Sequence, residues 1–365
     1  MRARKSIADA EEALGVTPRT KRCLTKPVDS TSSGAAVRDA CTSGVHVGPT
    51  PGLAHGFVQA NLVIVPAMYA DAFREYCRAN PRPCPLLEEL PPGERMTRVL
   101  ARGGDLATSL PRYIVWRDGE KAEEPNDLLG CWRDDLVGFL LGCSFSFEES
   151  LEAAGIPVRH NDEGRNVPMY VTSRQTEPSG PFRGPLVVSM RPLAPADVQR
   201  AIEITARFPR VHGAPVHVGD PAELGIADLG APDFGDAVTI RPGEVPCFWA
   251  CGVTPQMALR QAKLPLAITH APGHMFVCDV RNVELAVGSG GGGGRRRRRG
   301  RLPLLVLGGA LLAVAVSMTV EEWRATQGPA ASPAAVGDNV ASQSFVTRAL
   351  ARLLEVRLSL GTAVA

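Results

Sequence analysis

The chain lacks most of the marks that assign a sequence to a class at sight. No secretory signal opens it, no CxxC pair occurs and no internal repeat is present. Its glycine run, Gly288–Gly294, has no Lys-Ser/Thr after it, which excludes a phosphate loop there. The nine cysteines are odd in number, and the nearest two, Cys247 and Cys251, are too widely spaced for a zinc ribbon or a thioredoxin-like motif. Cys131, Cys143 and Cys278 sit in apolar surroundings and read as small core residues, so a reducing compartment is expected. A strong charge imbalance is also missing: the formal net charge is +2, which argues against a generally basic nucleic-acid binder.

What is present is a hydrophobic fraction of 44% and a charged fraction of 21% over 365 residues, enough for one large or two ordinary domains with a real core. The small positive charge is local. Six arginines fall at Arg295–Arg299 and Arg301; removing them leaves 34 of the 40 Lys and Arg against 38 Asp and Glu, a net of −4. Five segments follow from texture: an extension over 1–35, expected to be disordered; a body over 36–287; a Gly/Arg-rich linker over 288–301; an uncharged 19-residue stretch over 302–320; and a low-complexity tail over 321–365. The 302–320 stretch meets the length for a single membrane span, and the adjacent arginines suit a positive-inside anchor. The first 30 residues are basic but carry Asp9, Glu11 and Glu12, unlike an organelle transit peptide.

The body's many prolines between short apolar runs predict a loop-rich α/β or α+β fold. Asn61–Pro66 is expected as a strand or the lead into a helix, Ala67–Ala79 as a helix stopped by Asn80-Pro81, and Asp134–Ala154 as a longer helical region broken near Ser144–Ser146. Leu186–Met190, Phe248–Cys251, Ala267–Thr269 and Met275–Cys278 read as strands. Pro195 opens a helix with Val198, Ala201, Ile202 and Thr205 on one face, and Thr254-Pro255 reads as the cap and first turn of a helix through Lys263.

Histidines carry the chemical signal. His212 and His217 lie in one Gly/Pro-punctuated turn region, His270 and His274 in another, and His55 in a third. Glycine and proline beside a histidine hold the backbone close to a ligand and fix its direction, so these loops are expected to build a polar pocket. The competing reading is that turn histidines make structural hydrogen bonds. His270 and His274 are four apart as in HExxH, yet Pro272-Gly273 prevents the helix that would put both on one face. No metal is therefore assigned, although His212, His217, Asp220, Asp233 and Asp236 could converge in space. Cys251, after an apolar run and before a helix start, is a candidate nucleophile with a lowered pKa at a helix N-terminus, the competing reading being a buried small residue.

Nine blocks of this body resemble the D-glutamate cyclase family, whose bacterial members are often labelled "putative hydro-lyase". They are PTPGLAHGFVQANL over Pro49–Leu62, NPRPCPLLE from Asn80, GCSFSFE from Gly142, NVPMY from Asn166, VSMRP from Val188, the Phe208–Pro221 segment around His212 and His217, PDFGD from Pro232, FWACGVTPQ from Phe248 and THAPGHM from Thr269. The resemblance covers about residues 36–282. It implies a three-layer αβα domain with a smaller two-layer α+β domain packed into it, and a carbon–oxygen lyase; the animal relative, a mitochondrial enzyme, converts D-glutamate to 5-oxo-D-proline and water. The glycine–arginine run, the apolar 19-mer and the tail depart from the compact bacterial pattern.

Such a cyclisation needs a base, an acid and donors for a tetrahedral oxygen. On that expectation His212, His217 and His274 are the candidate acid–base groups and Asp220 their orienting partner, with Asp236 as a second choice. Gln59, Asn61, His270 and Cys251 are expected to contact substrate, and Arg191 to clamp a carboxylate. No cofactor and no specific nucleic acid are expected; the partner is a small amino acid or dicarboxylate, and a homo-oligomer is left open. A cytoplasmic location is expected, with mitochondrial or membrane-tethered locations as alternatives. Two other classes stay open: a metal-dependent hydrolase or dehydratase, and a non-catalytic amino-acid or dicarboxylate binding module.

Overall fold

The computed structural model describes residues 27–287. The expectations for residues 1–26, for the Gly/Arg linker, for the 302–320 span and for the tail lie outside the described residues.

The frame is a mixed α/β fold with two antiparallel sheets and, among the described residues, six α-helices. Its centre is β1 (Phe57–Pro66), buried along nearly its whole length. Val58, Ala60, Leu62 and Ile64 project into one core, Val63 and Val65 into another. A strand covered on both faces reads as an unbroken apolar run, as NLVIVP does. α1 (Gly34–Thr42) precedes it and α2 (Ala67–Ala79) follows directly. α2 lays Ala70, Phe73, Tyr76 and Cys77 on the Val63/Val65 side. It stops where expected because Asn80 turns back, its backbone N–H and its Nδ2 both donating to the Tyr76 carbonyl.

The larger sheet runs β2 (Leu86–Glu89), β5 (Leu136–Leu141), β1, β10 (Ala267–His270), β3 (Tyr113–Arg117), β4 (Glu120–Glu123), and β11 (Phe276–Arg281) also pairs with β1. β10 and β11 occupy the same side of β1 in succession. Val63 pairs with Thr269 and Ala60 with Phe276, so residues 271–275 leave the sheet as a loop opposite Asn61 and Leu62. The Leu62 N–H, left without a strand partner, donates instead to His270 Nδ1 at 3.1 Å. This interruption in the ladder positions the site.

The smaller sheet runs β6 (Met169–Gln175), β7 (Pro185–Leu193), β9 (Val245–Ala250), β8 (His217–Val218). Cys247 and Trp249 of β9 join the large core with Phe147 and Leu151 of α3 (Phe145–Ala153) and Ala201 of α5 (Pro195–Ala206). Phe248 faces the other way, onto Val188, Met190 and Leu224. Two short elements remain to be placed, α4 (Arg159–Asp162) and α6 (Thr254–Ala262).

Three expectations are corrected. The single helical region over Asp134–Ala154 is a strand followed by a helix: LVGFLL pairs on both sides, with β1 and β2, and all six residues are buried. A doubly covered strand and a buried helix both read as apolar runs, so periodicity alone did not separate them. Thr254 is not the cap of α6; Val253 is, and the Thr254 hydroxyl accepts from the Val187 N–H at 3.0 Å, tying the helix to β7. Residues 27–35 are structured. Ser33 Oγ caps α1 by accepting from Ala36 N, and the Asp29 carbonyl accepts from Ala54 N at 3.0 Å. α1 then lies directly on β11, with Arg38 Nη1 donating to the Val277 carbonyl at 2.7 Å and pairing with Asp279 at 2.9 Å.

No described helix is long and apolar enough to cross a membrane.

Candidate active site

Two loops form one wall of a cleft of about 720 Å3. The first, over 49–56, is pinned by Gln59: its Oε1 accepts from Thr50 Oγ1 at 2.8 Å, and its Nε2 donates to the carbonyls of Thr50 and Leu53. The second is the 271–275 excursion between β10 and β11. Thr50 stitches the two, donating its N–H to the Gly273 carbonyl at 2.8 Å and accepting from Met275 N at 2.9 Å. Gln59 thus lines the cleft, but its polar atoms are already spent on the loop.

The opposite wall is α3 and α4, presenting Glu148, Glu149, Glu152, His160 and Asn161. Glu148 is 4% exposed. Burial by itself would raise its carboxyl, yet the charges of Arg191 and His160 outweigh that and hold it at about 2. His160 Nε2 lies 3.3 Å from Glu148 Oε1, close enough for charge pairing but without hydrogen-bond alignment. Arg191 is 1% exposed; Nε and Nη2 both donate to Glu148 Oε1, Nη1 to Ser189 and Nη2 to Ser144. Its guanidinium lies 5.2 Å from the ring centres of both Phe147 and Trp249. Arg191 therefore does not line the cleft, and the clamp on a free carboxylate expected of it is already taken by Glu148.

Beneath the cleft is a recess of about 40 Å3 that shares Phe145, Asn166, Pro272 and Gly273 with it. Asn61, Cys251 and His270 line this recess. Asn61 donates from Nδ2 to the Gly142 carbonyl at 2.7 Å. Gly252 lies so close to Asn61 that a Cβ there would be 2.3 Å from Asn61 Nδ2, so any side chain would displace Asn61. Burial pushes the Cys251 thiol up to about 11, the opposite of an activated nucleophile; burial outweighs the amides of Val253 and Gly252.

His270, the last residue of β10, and His274, in the loop that follows, differ in the nitrogen they expose. His270 Nδ1 lies 3.1 Å from the Leu62 N–H and 3.4 Å from the Leu62 carbonyl; the shorter contact makes Nδ1 an acceptor, and the neutral ring then carries its proton on Nε2. Burial lowers this imidazole to about 4, which keeps it neutral. Pro272 O can only accept, so His274 Nδ1 donates at 2.8 Å and Nε2 keeps the lone pair. Burial lowers His274 as well. His270 faces the recess, His274 the cleft.

His212, His217, Asp220 and Asp236 line neither cavity. His212 is fully buried, held at φ 83°, and its Nδ1 donates to the Arg82 carbonyl at 2.6 Å. His217 Nε2 donates to the Asp220 carbonyl at 2.8 Å, and the Asp220 carboxylate accepts from Ala222 N at 2.9 Å. Asp236 accepts from Asn166 N at 2.9 Å. These residues close turns. The convergence of His212, His217, Asp220, Asp233 and Asp236 on a metal does not occur, and among the described residues no group of three or more His, Cys, Asp or Glu forms a metal-holding cluster.

Comparison with known proteins agrees with the sequence blocks. A "Putative hydro-lyase" of Rubrobacter xylanophilus is 59% identical over 253 residues, covering 69% of this chain and 98% of that protein. The chain belongs to the D-glutamate cyclase family. The family profile matches residues 137–279. A "Putative hydro-lyase" of Bordetella petrii is 59% identical over 245 residues, covering 67% of this chain and 93% of its own, and one of a Bradyrhizobium strain is 58% identical over 238 residues, covering 65% and 88%. The part matched by the D-glutamate cyclase profile runs from β5 into β11. It contains both helices that close the recess and the 271–275 loop, but not the 49–56 wall.

Sequence reading missed His160 and Gln256 as lining residues and passed over Glu148 as no more than the end of a block. Of the buried polar atoms left without a hydrogen bond among the described residues, His160 Nε2, Gln256 Nε2 and Asn282 Oδ1 belong to residues that line the two cavities. Nothing in local sequence marks such atoms; they are visible only once their neighbours are placed.

Proposed function

We propose that this protein is a carbon–oxygen lyase acting on a small amino acid or dicarboxylate, and that it cyclises D-glutamate to 5-oxo-D-proline with release of water. The observation that carries this reading is a pair of histidines four residues apart, His270 at the end of β10 and His274 in the loop that follows, one offering an N–H to the recess and the other a lone pair to the cleft.

In the reaction the amine nitrogen attacks the side-chain carboxyl carbon. A C–N bond forms, a C–O bond breaks, and two protons of the ammonium leave on the departing oxygen as water. The attack is intramolecular, so holding the substrate folded supplies much of the rate. His274 Nε2 is the base that takes the two ammonium protons in turn, one before the attack and one after it, and passes each to the same carboxyl oxygen, which departs as water. His270, kept neutral by burial, donates its Nε2 hydrogen to the oxygen that gains charge without losing its proton. Glu149 and Glu152 line the cleft together with Arg165; Glu149 lies 3.3 Å from His55 Nε2 and accepts from Asn282 Nδ2 at 2.8 Å, and Glu152 accepts from Asn161 Nδ2 at 2.9 Å.

Full-length protein incubated with D-glutamate, L-glutamate and simple dicarboxylic acids, followed by mass spectrometry, tests the reading. Formation of 5-oxoproline from D-glutamate is expected. Binding of these acids with no product from any of them overturns it in favour of a binding module.

A further inference from the structure

We infer that the inner recess is the seat of the reacting carboxyl group, and that the side-chain amide of Gln256 is its donor to the developing oxyanion; this rests on the lyase reading for the reaction, though not for the binding. The recess is lined by no Asp, Glu, Lys or Arg side chain. Its polarity comes from elsewhere. Two nine-residue helices, α3 and α6, begin at its wall, through Ser144 and Phe145 on one side and Gly252 and Val253 on the other. Neither helix has a side-chain cap at its N-terminus. The Ser146 and Phe147 N–H groups already donate to the Cys143 and Ser144 carbonyls, the Thr254 N–H donates to the Cys251 carbonyl, and Pro255 has none, so what the two N-termini bring to one small space is the positive ends of two helix dipoles, which favours an anion.

The independent observation is Gln256. It lines the recess, is 6% exposed, and its amide nitrogen has no hydrogen-bond partner among the described residues. A buried amide donor left unpaired costs free energy unless a ligand supplies the acceptor. His270 Nε2–H opens on the same recess. About 40 Å3 accommodates a carboxyl group and little more, so the acid end enters and the rest of the molecule stays in the cleft. The C–O bond to be broken is thereby placed against neutral donors, the arrangement that stabilises an oxyanion more strongly than a spread-out ground-state carboxylate.

Glutarate, a five-carbon dicarboxylate without an amine, binds without reacting and separates the seat from the chemistry. Its affinity for the full-length protein is measured by calorimetry in the wild type, in Gln256→Met and in Gln256→Glu. Gln256 is the third residue of α6, where a glutamate suits the helix dipole, so Gln256→Glu tests the charge of the seat without removing a helix former. The expected result is measurable glutarate binding in the wild type, a loss of about tenfold in Gln256→Met and a larger loss in Gln256→Glu, with kcat for D-glutamate falling about 10²-fold in Gln256→Met. Wild-type protein that binds no glutarate, or variants that bind it as tightly as wild type, overturn the inference. If glutarate binds in a Gln256-dependent way while no acid is turned over, the seat stands and the lyase reading falls.

Discussion

The loops Phe208–Asp220 and Thr269–His274 look alike as sequence. Each holds two histidines, each is broken by glycine and proline, and each follows a regular element. In the fold they do different work. His212 and His217 spend a ring nitrogen on the carbonyls of Arg82 and Asp220 and line neither cavity. The 271–275 loop interrupts a strand, so the backbone gap at Leu62 fixes His270 and the turn at Pro272 fixes His274, with opposite ring nitrogens left available. Residue type and loop texture nominate histidines; the direction in which the loop leaves the sheet selects among them.

The largest test of that contrast is His274→Ala, expected to lower turnover of D-glutamate by about 10²–10⁴-fold while the fold is kept, as loss of a general base does. Equal loss in His217→Ala would break the contrast. Next, His212→Ala removes a buried hydrogen bond and is expected to cost about 1–3 kcal/mol of stability, read by denaturant unfolding, with turnover per folded molecule unchanged. A drop in kcat without a drop in stability would return His212 to the site.

Acid sharpens the comparison. Buried His212 and His270 both sit at about 4 in the fold, against about 6.5 in an unfolded chain. Between those values the unfolded chain binds more protons, so the stability is fully present above about pH 6.5 and is lost as pH falls toward 4. Unfolding midpoints across that range are expected to fall in the wild type and to fall less in His212→Ala. Activity is expected to show an acid limb set by His274 below the ordinary histidine range, because burial lowers it and only its neutral form acts as base. The smallest effect is that of His217→Ala on stability, about 1 kcal/mol, since its largely buried ring gives up one hydrogen bond to the Asp220 carbonyl and its contact with Phe248.

Much of the frame is legible in the sequence alone. Ala67–Ala79 and Pro195–Ala206 show helical spacing with a clear stop or start, and the structure has both helices. LVGFLL could not be read, because burial on both faces erases the alternation that marks a strand. At the site, Gln59, Asn61, His270, His274 and Cys251 are legible in the sequence as candidates, and they line the cavities. Arg191 was nominated for its guanidinium; its neutralisation by Glu148, from a helix more than 40 residues earlier, is a contact that spacing does not encode.

Composition, motif blocks and hydrophobic period settle the family and most elements, because they depend on local spacing and residue type. The identity of the working histidines, the withdrawal of Arg191 behind the cleft and the unpaired amide of Gln256 depend on long-range pairing. β10 and β11 must both reach β1 before the loop between them can leave the sheet, and α3 and α6 must meet before their N-termini can enclose a recess. Those are distances across the chain, set by packing, and no window of sequence contains them.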